Sequence, residues 1–128
     1  MSTRRPRGSR RCRHPRQRRG MRLMLRPGLL ILLQEGKSHG YELYDQLIAF
    51  GFTPERLDSS VVYRDLRDME DLGLIDSYWD EESRGPKRRV YRITREGERC
   101  LQESIEMLEG LKERIDLLME RYQNSEMS

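Results

Sequence analysis

A short helix followed by a basic hairpin is predicted by residues 58–94, whose sequence is DSSVVYRDLRDMEDLGLIDSYWDEESRGPKRRVYRIT. The polar side chains of residues 58–60 can accept hydrogen bonds from the free N–H groups of a first helical turn, so we expect the helix to begin there. An apolar stripe follows at i, i+4 and i+7, and its members are Val62, Leu66 and Met69. This stripe predicts that one side of the helix faces a core.

The exposed side of the same helix carries hydrogen-bonding and cationic groups. An arginine fork can pair with guanine edges or phosphate, and a helix N-terminus can itself approach a phosphate. The helix can therefore occupy a DNA major groove, with contacts from Ser59, Ser60, Val61, Tyr63, Arg64 and Arg67. The alternative is a solvated amphipathic helix whose ion pairs involve Asp65, Asp68 and Glu70.

Two strands are predicted at residues 74–79 and 88–93, where Tyr, Trp, Val and Ile are spaced between polar residues. Gly85 and Pro86 mark the turn between them. Up to four positive charges lie at or beside its tip, on Arg84, Lys87, Arg88 and Arg89. A wing of this charge can hold backbone phosphates, and the alternative is an ordinary polar turn kept soluble by its arginines.

Two helices are predicted upstream of this block. The first begins near residue 24 and continues through residue 33, in an apolar run bounded by Pro27 and Gly36, and should be buried. The second can be capped by Ser38. Its apolar and aromatic residues recur at three- and four-residue spacing, at Tyr41, Tyr44, Leu47 and Ile48. This second helix would pack behind the predicted groove-binding helix and support it.

The start of that second helix offers two further candidates for DNA contact. His39 and Tyr41 can hydrogen-bond phosphate there, because a helix N-terminus favours anions. The alternative is that His39 caps the helix locally and that Tyr41 packs into the core.

A long amphipathic helix is predicted after Thr94, which can cap it. Its apolar residues recur mainly every seven positions, and the predicted dimerisation residues are Leu101, Ile105, Leu108, Leu111, Ile115, Leu118 and Tyr122. This face can cover the preceding helices and hairpin near its start and meet a partner helix farther out, which predicts a homodimer and an inverted-repeat DNA site. The alternative is a helix that covers only its own core.

From about residue 26 to the end of that helix, the chain resembles the PadR family of bacterial transcriptional regulators. The matching stretches are LLILL at 29–33, HGYEL at 39–43, VYR at 62–64, GLI at 73–75, GPKRRVY at 85–91 and ITREG at 93–97. The resemblance implies a dimeric winged-helix repressor of the smaller subclass with a single C-terminal helix. It implies a mainly α fold with a small two-stranded β wing, a winged helix-turn-helix plus the long C-terminal helix.

The chain departs from the family pattern just before the helix tyrosine. Many PadR-like chains have a proline, a glycine or serine, and a threonine there, whereas this chain has Ser59-Ser60-Val61-Val62. Val61 offers only a methyl surface, which could meet a thymine methyl. The operator sequence of relatives therefore cannot be transferred to this chain.

Charge is concentrated at the N-terminus. Residues 1–26 contain 11 arginines and no acid, which leaves 14 basic and 22 acidic residues in the remainder. Low apolar content and self-repulsion predict a disordered arm over residues 1–22. Such an arm can bind the backbone or a narrow minor groove of DNA. The alternatives are a solubilising terminus and attraction to RNA by charge alone.

Length and composition predict one small domain with extensions, because 128 residues contain 35% hydrophobic residues. We expect the arm at 1–22, the winged helix-turn-helix at 23–94, the dimerisation helix at 95–123 and a disordered tail at 124–128. No apolar run approaches the roughly 20 residues that span a bilayer, and no secretory signal is recognisable, so a cytoplasmic location without membrane contact is expected.

An enzyme is not indicated, because the candidate catalytic and metal-binding groups form no recognisable constellation. Cys12 and His14 lie in the arm, and Cys100 lies at the start of the last helix. No glycine-rich phosphate loop is present, so we expect no cofactor and no metal.

The sequence thus predicts a sequence-specific DNA-binding regulator, a ligand-responsive repressor by resemblance to its family. The family's effectors vary, so the small molecule is unknown. Tyr78, Trp79 and Tyr122 could line a cavity between subunits, but core packing is the favoured interpretation of these aromatic residues. The alternatives are an architectural protein that binds nucleic acid without sequence preference and a basic adaptor for RNA or protein.

Overall fold

The computed structural model describes residues 20–52, 57–81 and 85–127. Its elements in chain order are α1 (Gly20–Glu35), β1 (Ser38–His39), α2 (Gly40–Ala49), α3 (Ser59–Asp71), β2 (Ile75–Asp80), β3 (Arg88–Ile93) and α4 (Arg95–Met127). The fold is mainly α with a small antiparallel sheet, a winged helix-turn-helix followed by one long helix, as the sequence predicts.

Helix α1 starts earlier than its apolar pattern indicates. It begins at Gly20 and runs through Pro27, so residues 20–22 are helical although the sequence assigns them to the disordered arm. Proline inside a helix removes one hydrogen bond and costs about 3 kcal/mol. Burial of Leu29, Leu30 and Leu33 against the core counteracts that cost. The rest of the predicted arm, residues 1–19, lies outside the described residues.

The sheet has three strands in the order β1-β3-β2, not the two strands that the sequence predicts. Strands β2 and β3 form the hairpin, from the pair Ile75 and Ile93 to the pair Asp80 and Arg88. Strand β1 adds the pairs of Ser38 with Tyr91 and of His39 with Val90. A two-residue strand carries no periodic pattern, and this one forms only because β3 offers it an edge. Ser38 therefore lies in a strand, and His39 is the N-cap of α2.

The hydrophobic core lies between the helices and the inner face of the hairpin. Its most buried large side chains are Leu29, Leu30, Leu43, Leu47, Val62, Leu66, Met69, Leu74 and Ile75. Helix α3 thus buries the predicted stripe, and its N-terminus is capped by Asp58, whose side chain accepts a hydrogen bond from the backbone N–H of Ser60 at 3.2 Å. A hydrogen bond connects α2 to the segment before α3, because the Tyr44 hydroxyl donates to the carbonyl of Leu57 at 3.0 Å.

A glycine turn ends α3 and directs the chain into β2. Gly73 has φ +80°, a left-handed conformation that glycine adopts at low cost. The N–H of Gly73 donates to the carbonyl of Glu70, and that of Leu74 donates to the carbonyl of Met69. These two bonds form the Schellman pattern of a helix C-terminus, so the wing leaves α3 at a defined angle.

Helix α4 is docked on the winged domain through its first three turns. The Thr94 hydroxyl accepts from the N–H of Gly97 at 3.1 Å, and its single proton is within donating distance of two carbonyl oxygens, that of Gly73 at 2.7 Å and that of Leu74 at 2.9 Å. A Cβ atom at Gly97 would overlap that same carbonyl, so only glycine permits this approach. Leu101 is buried in the core and Ile105 packs against it.

Two sequence assignments for α4 are therefore corrected. Leu101, which the heptad pattern assigns to dimerisation, belongs to the intramolecular core because the first part of the helix lies on the winged domain. The helix also continues to Met127, so residues 124–127 extend it where a disordered tail is predicted.

Candidate nucleic-acid interface

The first turns of α3 present polar and basic side chains to solvent. Ser59, Ser60, Arg64 and Arg67 are all exposed. Val61 differs, because it is half-buried and packs against the core. Its neighbour Val62 is fully buried, and Val61 lies beside the buried stripe and packs against its edge. The sequence's grouping of Val61 with the exposed residues is accordingly only half right.

Tyr63 is shared between the surface and the helix packing. Its side chain is 39% exposed, and its ring lies over Gly40, the first residue of α2. A Cβ atom at Gly40 would come within 2.5 Å of Tyr63 Cε1. Glycine at this position therefore permits the contact that sets α3 against the start of α2.

A buried ion pair, which was not predicted from the sequence, connects α1 to α3. Arg26 Nη2 donates to Asp65 Oδ1 at 2.5 Å, with residue exposures of 2% and 6%. Asp65 is thus a core residue and not a surface partner of nearby arginines. A signal was present, because Asp65 lies beside Leu66 on the apolar stripe and Arg26 lies in an apolar run. Buried charges require partners, so two such positions should have been paired.

His39 is held between two carboxylates at the junction of α2 and the wing. Its Nδ1 lies 2.9 Å from Glu42 Oε1, and its Nε2 lies 3.2 Å from Asp80 Oδ2. Its backbone N–H donates to Glu42 at 3.0 Å. This backbone bond, together with the His39 side chain, lowers the pKa of Glu42 below its ordinary value. The contacts of His39 are therefore those of a residue that caps α2 locally.

Tyr41 is exposed and attached to the wing, rather than packed into the core. Its hydroxyl accepts a hydrogen bond from Arg88 Nη1 at 2.7 Å. The Arg88 guanidinium carbon also lies 5.0 Å from the centre of the Tyr41 ring. Arg88 therefore connects β3 to α2 through one hydrogen bond and one cation–π contact.

The wing residues predicted to hold phosphates occupy different places. Arg84 lies outside the described residues. Lys87 is exposed at the end of the turn, while Arg88 and Arg89 lie within β3, beyond the turn. Arg89 points to the opposite side from Arg88, because neighbouring residues of a strand alternate between its faces.

Two aromatic residues of β2 are less buried than the core interpretation predicts. Trp79 is 51% exposed, and Tyr78 is only half-buried. They lie near the end of β2 and on opposite faces of the hairpin, because neighbouring residues of a strand alternate between its faces. The interpretation of these two residues as core is therefore wrong.

The described part of the chain shows neither a metal centre nor a membrane span. Across residues 20–52, 57–81 and 85–127, no group of three His, Cys, Asp or Glu side chains could hold a metal ion. None of the helices in those ranges is long and apolar enough to cross a membrane.

An exposed helix with a polar first turn, a supporting helix at its back and a basic hairpin beside it define the winged helix-turn-helix class of DNA-binding domains. The chain belongs to the PadR-like family of transcriptional regulators, whose family model matches residues 29–103. It is therefore a regulator of transcription with DNA as its partner, and not an enzyme.

Several individual proteins are similar to this chain. An uncharacterised protein of Lysinibacillus sphaericus is 30% identical over 92 residues, which cover 72% of this chain and 84% of that protein. A solved PadR-like transcriptional regulator from Bacillus cereus is 27% identical, with a TM-score of 0.69 over 77% of this chain and 94% of that one. A solved conserved protein described as a potential transcriptional factor is 37% identical, with a TM-score of 0.75 over 88% and 100% of the two chains.

Proposed function

We propose that the protein is a homodimeric, sequence-specific transcriptional repressor that is located in the cytoplasm and binds an inverted repeat in DNA. The observation that carries the proposal is the division of α3 between two faces. One face is fixed by buried Val62, Leu66 and the Arg26–Asp65 pair, and the other presents exposed polar and basic side chains. A rigid helix with a free cationic face suits base readout in the major groove.

The candidate contact residues divide by role. Ser59 and Ser60 in the first turn are suited to phosphate, because the helix N-terminus favours anions there. Tyr63, Arg64 and Arg67 are suited to base edges or phosphate. Lys87 and Arg89 extend the surface onto the wing. His39, Tyr41 and Arg88 support the interface through their contacts with one another and with Asp80.

The distal part of α4 supports the homodimer. Its large apolar side chains are exposed in the single chain, namely Ile115, Leu117, Leu118, Met119 and Tyr122. An apolar groove of about 250 Å³ adjoins Leu108 on the same helix and is also lined by Met24, Ile31, Phe50 and Phe52. A second copy that packs its α4 along this surface would bury both features.

A twofold dimer would present two α3 helices to half-sites about one DNA turn apart, roughly 34–36 Å. An effector would act by changing the angle between the two α4 helices, which moves the α3 helices out of register with the grooves. We therefore propose regulation through the dimer, and a screen of small molecules against the protein–DNA complex would identify the effector.

The test is binding of the purified protein to its own upstream DNA and to a shuffled duplex of equal length at near-physiological salt. We expect a preference of about a hundredfold for the specific site. Arg64→Ala should weaken operator binding about tenfold or more, since a base contact contributes about 1–3 kcal/mol. Arg99→Ala is the charge-matched control, because Arg99 is an exposed α4 residue paired with Glu96.

Equal binding to both duplexes would instead support the architectural alternative, in which the arginine-rich N-terminus provides most of the affinity. Preference for RNA over the duplex would support the adaptor alternative. Unchanged operator affinity in Arg64→Ala would contradict the assignment of α3 as the recognition helix.

A further inference from the structure

The wing carries an exposed tryptophan that the function described so far does not use. Trp79 of β2 and Arg89 of β3 are cross-strand partners, and the Arg89 guanidinium carbon lies 5.0 Å from the centre of the indole ring. The side chain of Arg89 is 44% exposed. Large exposed aromatic residues beside cations are typical of contact surfaces, because they combine apolar area with few rotatable bonds.

This pair lies on the face of the hairpin that adjoins α3. Side chains two residues apart on a strand share a face, so Trp79 lies on the same side as Ser77. The Ser77 hydroxyl donates to Glu70 Oε2 at 2.6 Å, and Glu70 belongs to α3. The inner face of the hairpin thus continues beyond the core and ends in Trp79 and Arg89 beside the candidate recognition helix.

Arg89 is held in position by the same polar chain. Its Nε donates to the Ser77 hydroxyl at 2.9 Å, and its Nη2 lies 3.8 Å from Glu70 Oε2. An arginine that is oriented before binding loses less conformational freedom when it meets an anion. Glu70 and Ser77 therefore hold the guanidinium in place while much of it remains open to solvent.

The other two arginines of β3 lie on the opposite face. Arg88 is engaged by Tyr41. Arg92 donates to Asp76 at 2.6 Å, and its guanidinium carbon lies 5.2 Å from the centre of the Tyr78 ring. Arg89 is thus the arginine of β3 that lies on the face of the hairpin adjoining α3.

We propose that Trp79 and Arg89 form a contact to the DNA backbone beside α3, with the guanidinium on a phosphate and the indole against the neighbouring sugar. Glu70 and Ser77 are positioning residues for this contact. The inference rests on the proposed function, in which Arg89 already belongs to the DNA-binding surface, and adds Trp79 to that surface as a residue that reads no base. Phosphate contacts fix the register of a protein on the duplex without sequence information, so their loss should weaken all duplexes by a similar factor.

The test uses the intrinsic fluorescence of the full chain, because Trp79 is the only tryptophan in the sequence. Binding of the upstream duplex should protect Trp79 from quenching by acrylamide. Arg89→Ala and Trp79→Ala should each weaken binding to the operator and binding to the shuffled duplex by the same factor, about tenfold. Arg89→Ala should also make the dependence of log affinity on log salt concentration less steep by about one unit for each subunit engaged.

Arg92→Ala is the matched control, since it removes the same charge from the same strand but from the opposite face. It should keep wild-type affinity and salt dependence. Ser77→Ala should lower the affinity with the salt dependence unchanged, because the Arg89 charge remains, and Ser77→Thr should restore it by returning the hydroxyl.

Three results would overturn the inference. The first is wild-type DNA affinity in both Trp79→Ala and Arg89→Ala, or full acrylamide access to Trp79 in the complex, while the wild type still prefers its operator. The second is a changed oligomeric mass in these variants with DNA affinity retained, which would identify a protein contact. The third is a wild type that binds no duplex, in which case the proposed function fails as well.

Discussion

The winged domain and the distal half of α4 differ in which side chains they bury and which they expose. The winged domain buries even an ion pair, Arg26 with Asp65, within its core. Distal α4 leaves large apolar residues in solvent, with Leu118 at 70% exposed, although the same heptad pattern buries Leu101 to 5%. One periodic pattern therefore serves two purposes, and the part of the chain that lies against each turn decides between them.

The largest expected effect is on the stability of the winged domain and tests its buried ion pair. Asp65→Ala removes the Asp65 carboxylate from its buried contact with the Arg26 guanidinium and should reduce the free energy of unfolding by about 3–5 kcal/mol. Asp68→Ala, on the same helix but only half-buried, should change it by less than about 0.5 kcal/mol. Urea denaturation followed by circular dichroism measures both.

A double variant sharpens this test. Arg26→Met with Asp65→Leu replaces both charges by apolar groups of similar size and should recover most of the lost stability. Equal stability of Asp65→Ala and the wild type would mean that the pair does not fix α3, which would weaken the case for α3 as a rigid recognition helix.

The next effect separates the two halves of α4. Leu101→Ala should lower the free energy of unfolding by about 2–4 kcal/mol at every protein concentration, because its contacts lie within one chain. Leu118→Ala should instead weaken the dimer, so that its melting temperature and its mass in sedimentation depend more strongly on concentration. Indistinguishable behaviour of the two variants would erase the division between the halves.

The smallest effect concerns pH and again compares the two regions. The His39 contacts lower the folded-state pKa of Glu42 below its ordinary value of 4.5. Such a carboxylate stabilises the fold above the unfolded pKa, and that contribution is lost as the pH falls through the folded pKa. Glu42→Gln should therefore lose less stability than the wild type between pH 5 and pH 3, on the order of a degree in melting temperature.

Glu113→Gln provides the comparison for this experiment, because Glu113 is exposed on distal α4. It should follow the wild-type acid profile. A Glu42→Gln profile that also matches the wild type would show that the His39 contacts add nothing to the winged domain's stability.

Much of the fold was predictable because its signals are local. The stripe of Val62, Leu66 and Met69 and the cap at Asp58 identified α3, and alternation around Gly85 identified the hairpin. Strand β1 and the Arg26–Asp65 pair were missed because each depends on a partner far along the chain. The exposure of Trp79 was misjudged because residue type alone does not say what lies opposite a side chain in the fold.

The sequence by itself determined the order of the helices and the hairpin, the family and the basic character of the wing. Local hydrogen bonding, hydrophobic periodicity and a family-specific set of motifs carry that information. Only the tertiary structure decided which side chains remain accessible. It assigned Arg88 to Tyr41, held Arg89 beside Trp79 through Ser77, and placed Leu101 inside and Leu118 outside. The physical reason is that burial and pairing are properties of what lies opposite a residue, and the chain brings those partners together only when it folds.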